Sequence, residues 1–112
     1  MKRYGWIGKL KPDAVDTYVA LHAHAWPAVL QCNKECHLQN YSIFLTRMPN
    51  GEHLLFSYLE YTGEDFGADM NRMAANPEIQ RWWAECKPCF EAIEGLEPGE
   101  VWAPMDIVFC QP

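Results

Sequence analysis

Gln39-Asn40-Tyr41-Ser42-Ile43-Phe44-Leu45-Thr46-Arg47, a break at Pro49-Asn50-Gly51, and then His53-Leu54-Leu55-Phe56-Ser57-Tyr58-Leu59-Glu60-Tyr61 decide the fold. The first run puts Tyr41, Ile43 and Leu45 on one face and Ser42, Phe44 and Thr46 on the other, as a strand requires. Pro-Asn-Gly is turn chemistry, so residues 39–47 and 53–61 pair as an antiparallel hairpin. Both faces of 53–61 carry apolar side chains. One face therefore meets helices, and the other needs a cover of its own.

Working outward, residues 4–10 alternate as a strand, with Tyr4, Trp6, Gly8 and Leu10 against Gly5, Ile7 and Lys9. Pro12-Asp13 opens a helix, since a proline in the first turn loses no hydrogen bond. Val15, Tyr18, Val19, His22, Trp26, Val29 and Leu30 follow at helical spacing and form one stripe. This pattern predicts a helix running to about Cys36, kinked at Pro27. Beyond the hairpin, Gly63-Glu64-Asp65 starts a short helix to about Ala75. Asn76-Pro77-Glu78 opens another, with Ile79, Trp82, Trp83, Cys86, Phe90 and Ile93 on its buried stripe and Pro88 as a second kink. A loop from Gly95 to Gly99 and a last strand over 104–110 complete the chain. The order βαββαβ predicts a single-domain ferredoxin-like α+β sandwich over residues 1–112, curling toward a half-barrel, with helices on one face of an antiparallel sheet. A homodimer is the natural way to cover the other face.

Composition narrows the function. The 112 residues carry a formal net charge of −6, with 9 basic against 15 acidic side chains. No basic stripe offers itself to phosphates, which argues against a nucleic-acid partner. No run approaches the roughly 20 apolar residues that cross a bilayer, and the N-terminus lacks the apolar core of a signal peptide. The expectation is a cytoplasmic protein with no membrane partner, whose five cysteines are reduced thiols. Aromatic residues reach 13%. They can fill a core, but flat rings also suit the C–H faces of a sugar.

Tyr18, His22 and Trp26 lie in one row at i, i+4 and i+8. A histidine inside an apolar stripe is either a core residue satisfied by a carbonyl or hydroxyl, or an imidazole suited to moving protons near neutrality. Trp82 and Trp83, adjacent on a helix, point about 100° apart. They read as one core and one interface tryptophan, or as a stacking platform with an indole N–H to donate. Tyr41, at the head of its strand, places a phenol where it could enter a cavity. Cys32, Cys36, His37, Cys86 and Cys89 invite a metal reading, but a second ligand pair at zinc spacing is missing, so structural thiols are expected and no metal. Arg81 reads as a surface or ion-pairing residue rather than a catalyst, Asp69 and Glu85 as solvated helix charges, and His24 and His53 as solvent-facing or peripheral. No glycine-rich phosphate loop, Ser–His–Asp pattern or dinucleotide fingerprint occurs, so no bound nucleotide is expected.

Pro12-Asp13-Ala14, Tyr18 with His22, Trp26-Pro27, Asn40-Tyr41, Leu54-Leu55-Phe56, Gln80-Arg81-Trp82-Trp83 and Val108-Phe109 together resemble the L-rhamnose mutarotase family, over nearly the whole chain. The resemblance implies a dimeric ferredoxin-like α+β barrel with strand exchange between subunits and no metal or organic cofactor. It places the acid/base histidine on His22, the substrate-contacting tyrosines on Tyr18 and Tyr41, and the paired tryptophans on Trp82 and Trp83. The implied substrate is a monosaccharide, a deoxy-hexose whose α and β anomers are interconverted. The chain departs from the family pattern at Ala28, Ile107 and Cys110, which bears on the identity of the sugar, because similar proteins also act on L-fucose. Two readings compete: a small monooxygenase of the same dimeric barrel type, and a sugar-binding module without catalysis.

Overall fold

The computed structural model describes residues 1–112. Strand β1 spans Lys2–Leu10, and a 3-10 turn at Pro12–Ala14 leads into helix α1, Val15–Ala23. Helix α2 spans Pro27–Glu35, followed by the hairpin of β2, Leu38–Arg47, and β3, His53–Tyr61. Helices α3, Phe66–Ala74, and α4, Pro77–Cys86, then precede a 3-10 turn at Lys87–Cys89 and the short strand β4, Ala103–Met105. The four strands form one antiparallel sheet in the order β2-β3-β1-β4, the arrangement expected of βαββαβ.

The sheet has one packed face. Along β3, Leu55, Ser57, Leu59 and Tyr61 are buried, alternating with partly exposed Leu54, Phe56, Tyr58 and Glu60. The buried set joins Tyr18 of α1, Val29 and Cys32 of α2, Met73 of α3 and Ile79, Trp82 and Cys86 of α4 in one core. Two helix starts are capped by their own side chains. Asp65 accepts from the Ala68 N–H at 3.0 Å, and Asn76 accepts from Glu78 and Ile79 at 2.8 and 3.3 Å, with Pro77 in the first turn.

Four expectations change. The predicted helix to Cys36 is two helices rather than one kinked helix. The ring of Pro27 disfavours helical geometry at the residue before it, and Trp26 is extended at φ −69°, ψ 135°. The last long helix stops at Cys86, because Pro88 supplies no N–H and crowds the preceding turn. Phe90 is accordingly extended and bridges Leu10 instead of continuing the helical stripe. The final strand covers 103–105, not 104–110. Beyond Met105 nothing in the chain pairs with the backbone, and Val108 and Phe109 are 94% and 77% exposed.

Asp69 is the fourth. It is no solvated charge but the centre of a network. It accepts from the Tyr61 hydroxyl at 2.5 Å, meets His37 Nδ1 at 3.0 Å, and pairs with Arg72 at 3.3 Å. Arg72 also donates to the Glu35 carbonyl, so this carboxylate ties α3 to the end of α2 and to β3. Hydrogen bonds from Tyr61 and then His37 hold the Asp69 carboxyl below its usual value. A depressed carboxylate adds stability above its unfolded-state pKa and loses it as pH falls through the folded value. Thermal melts from pH 7 to 3 should show the wild type losing stability more steeply toward acid than Asp69→Asn. Parallel curves would contradict the assignment.

Candidate functional site

A cavity of about 540 Å³ opens between the packed face of the sheet and helices α2, α3 and α4, within the size range of small-molecule sites. Its walls are largely apolar, from Trp6, Ile43 and Leu59 on the sheet to Val29, Met73 and Ile79 on the helices. Polar groups enter at His22, Asn33, Tyr41 and Ser57, with the indoles of Trp82, Trp83 and Trp102.

His22 stands in the last turn of α1. Its Nδ1 lies 2.8 Å from the Tyr18 carbonyl oxygen one turn back. A carbonyl only accepts, so in the neutral ring the proton is on Nδ1, and Nε2 is left with a free lone pair. The imidazole stacks on the Tyr18 ring at 4.0 Å and meets the edge of Trp82 at 5.1 Å. Burial among these rings pushes its pKa down, and the Tyr18 carbonyl opposes that only partly. The group is therefore a neutral proton acceptor at physiological pH. Both sequence readings of His22 contain part of this arrangement, since the ring is satisfied by a carbonyl and also lines the cavity.

Tyr41 faces the cavity with Ile43, two residues on, and a β-bulge stands just before it. Gln39 pairs with Glu60 and Ser42 with Tyr58, so Asn40 and Tyr41 together oppose the single residue Leu59. Asn40 takes up the extra residue in the left-handed region, at φ 48°, and its side chain donates to Glu60 at 2.9 Å. The added residue puts Tyr41 on the same face as Leu38. Burial raises the phenol's pKa, with the Ser57 hydroxyl acting the other way.

Of the five residues singled out from the sequence, His22, Tyr41, Trp82 and Trp83 line this cavity. Tyr18 lies behind His22, 4% exposed, its phenol raised by burial and by the neighbouring Tyr41 phenol. Trp83 is 41% exposed, which corrects its place on a buried stripe, whereas Trp82 is buried and packs edge-on to Trp26 at 5.2 Å. Asn33, Ser57 and Trp102 had not been singled out. Asn33 and Ser57 are small polar residues in apolar surroundings, and only tertiary packing brings them to the cavity. The thiols form no ligand set, and burial pushes Cys86 up to about 12. His53 is less peripheral than expected, with a buried Nδ1 that has no partner.

A family model described as L-rhamnose mutarotase matches residues 3–111. The chain belongs to the L-rhamnose mutarotase family. The L-rhamnose mutarotase of Oceanobacillus iheyensis is 36% identical over 88 residues, 79% of each chain. That of Lactiplantibacillus plantarum is 32% identical over 98 residues, 88% of each chain, and that of Sinorhizobium fredii 31% over 109 residues, 97% of each. The crystal structure of an L-rhamnose mutarotase from Formosa agariphila matches the whole of both chains with a TM-score of 0.75 at 22% identity. Tetracenomycin F2 cyclase from Streptomyces glaucescens matches with a TM-score of 0.66 at 13% identity, again over both whole chains. At those identities the two structures speak for the fold alone, and this fold carries more than one chemistry.

The environment of His22 is open to direct measurement. Its C2 proton, followed by NMR across pH 4 to 8, should report a pKa below the ordinary 6.5. A value above 6.5 would mean that the ring is solvated or faces a negative charge, contrary to this geometry.

Proposed function

We propose that the protein is an aldose mutarotase that interconverts the α and β anomers of L-rhamnose at the His22 cavity. The observation that carries this reading is the free Nε2 of a neutral histidine beside Trp82 in a cavity with few other polar groups. Mutarotation needs little else. The proton of the anomeric hydroxyl must leave, the bond from C1 to the ring oxygen must break, and that oxygen must gain a proton.

His22 Nε2 takes the proton from O1 as the C1–O5 bond breaks and the C1=O1 carbonyl forms. The imidazolium then returns the proton to O5. Rotation about C1–C2 presents the other carbonyl face, and the same steps in reverse close the ring as the opposite anomer. The single accepting nitrogen favours this relay over a histidine that begins as the acid. Tyr41, with its pKa raised, stays a phenol at neutral pH and serves as a hydrogen-bond donor that orients the sugar. Tyr18 holds His22 through ring stacking and its carbonyl, a positioning role behind the cavity wall. Trp82 and Trp83 hold the apolar ring face and the C6 methyl. No step in this relay calls on a metal or an organic cofactor. The three sequence relatives above are each named L-rhamnose mutarotase, which favours that sugar over L-fucose.

The working form is a homodimer in this reading. Phe44 on the open sheet face is 63% exposed, and the tail carries Ile107, Val108 and Phe109 outward. An apolar strip of this kind is well suited to a second copy, with the tails exchanged as added strands. A cytoplasmic setting suits its five free thiols. No helix is long and apolar enough to cross a membrane.

NMR saturation transfer between the anomeric protons of L-rhamnose should show exchange accelerated by the protein. His22→Ala should lose about 10²–10⁴-fold of that acceleration, the usual contribution of a positioned proton-transfer group. Tyr41→Phe should raise KM by about 2- to 10-fold, the worth of one hydrogen bond. Acceleration with L-fucose alone would change the sugar. Full activity in His22→Ala would remove the mechanism, and saturable binding without acceleration would leave a binding module.

Sedimentation velocity should give a dimer, reduced to monomer by truncation after Met105. A monomeric wild type at micromolar concentration would refute the pairing.

A further inference from the structure

Trp83 and Trp102 are walls of two cavities, not one. They line the His22 cavity, and they also line a groove of about 360 Å³ on the other side, floored by Phe90 and edged by Ala84, Lys87 and Val101. The aromatic surface of this groove is fixed in place. Trp102 meets Phe90 edge-on at 5.1 Å, and a Cβ at Gly8 would lie 2.9 Å from both rings, so the two are packed hard against the sheet. The polar edge is unused. Lys87 takes part in none of the ion pairs, and its Nζ stands over Gly99, 3.6 Å from where a side chain there would begin. Flat rings beside a free ammonium donor suit a pyranose, which has an apolar C–H face and a rim of hydroxyls.

Position along the cavity decides what such a pyranose is attached to. Half-exposed Trp83 lines both the cavity and the groove and so forms the rim between them, while His22 and buried Trp82 line the cavity alone. A rhamnose with its C1–O5 bond at His22 turns the opposite side of its ring toward that rim. C4 lies across the ring from C1, and C3 lies across from O5. Substituents on O3 or O4 therefore leave both reacting atoms free while pointing outward past Trp83.

We propose that the groove is a second sugar subsite, and that the enzyme anomerises reducing disaccharides ending in L-rhamnose, linked through O3 or O4, as well as the free sugar. This rests on the mutarotase reading. The reaction is the same isomerisation, with no atom gained or lost, and only the outer sugar is new.

Saturation transfer on D-glucopyranosyl-(1→3)-L-rhamnose and D-glucopyranosyl-(1→4)-L-rhamnose, each compared with L-rhamnose, tests it. Acceleration of either disaccharide supports the subsite. Ala84→Trp fills the groove from an exposed helix position and should cut kcat/KM for that disaccharide by about tenfold or more, leaving L-rhamnose within about twofold. Lys87→Ala, an exposed position with no structural partner, should raise the disaccharide KM by about 2- to 10-fold and leave L-rhamnose unchanged. The proposal is overturned if L-rhamnose is accelerated and neither disaccharide is. It is also overturned if Lys87→Ala affects both sugars equally, or if neither variant alters the disaccharide. Acceleration of no sugar at all would instead sink the mutarotase reading, and the subsite with it.

Discussion

A residue that precedes proline is steered out of the helical region, and at Trp26–Pro27 that local rule shapes the whole site. A continuous helix from residue 15 to 35 would run past the sheet as one rod. The break instead ends α1 at Ala23, one residue after His22, and starts α2 at Pro27. His22 is thereby left in a last turn, at the margin of the core. Trp26, in the extended link, falls against Trp82.

Placing an imidazole there has a chemical result. In water His22 would be charged for part of the physiological pH range. Among Tyr18, Trp82 and the apolar cavity wall it is held neutral, and the Tyr18 carbonyl decides which nitrogen keeps the proton. The same carbonyl fixes the ring's direction. One backbone acceptor thus selects both tautomer and aim, which in many enzymes falls to a dedicated carboxylate.

Much of this was readable from the sequence, for physical reasons. Alternation over 53–61 and the Pro-Asn-Gly turn specify the hairpin locally, and Asn76-Pro77 is a helix start that needs no tertiary help. The row from Tyr18 to Trp26 was recognisable as a stripe, although its helical basis ends at Ala23, before Trp26. What remained hidden depended on partners distant in sequence. Asp69 looks like any surface carboxylate until Tyr61 and His37 converge on it. Ser57 and Asn33 gave no signal, because a small polar residue carries no period of its own. The tail at 104–110 alternates well enough to be a strand, but a strand is defined by its neighbour, and within one chain residues 106–110 have none. The bulge at Asn40 was equally silent, since it is visible only as a mismatch between two strands.

That bulge makes the hairpin mechanically asymmetric. It acts as a one-residue phase shift, with the sheet's inward and outward positions exchanged on either side of it. At the far end, the turn at residues 48–52 can lengthen or shorten and leave every inward side chain where it is. At the other end, the register of residues 42–47 already holds Tyr41 inward, and the extra residue at Asn40 is what lets Leu38, three positions earlier, face the core as well. The phase shift therefore serves the junction with α2, where it anchors Leu38 in the core, and its strain is concentrated in the left-handed backbone of Asn40.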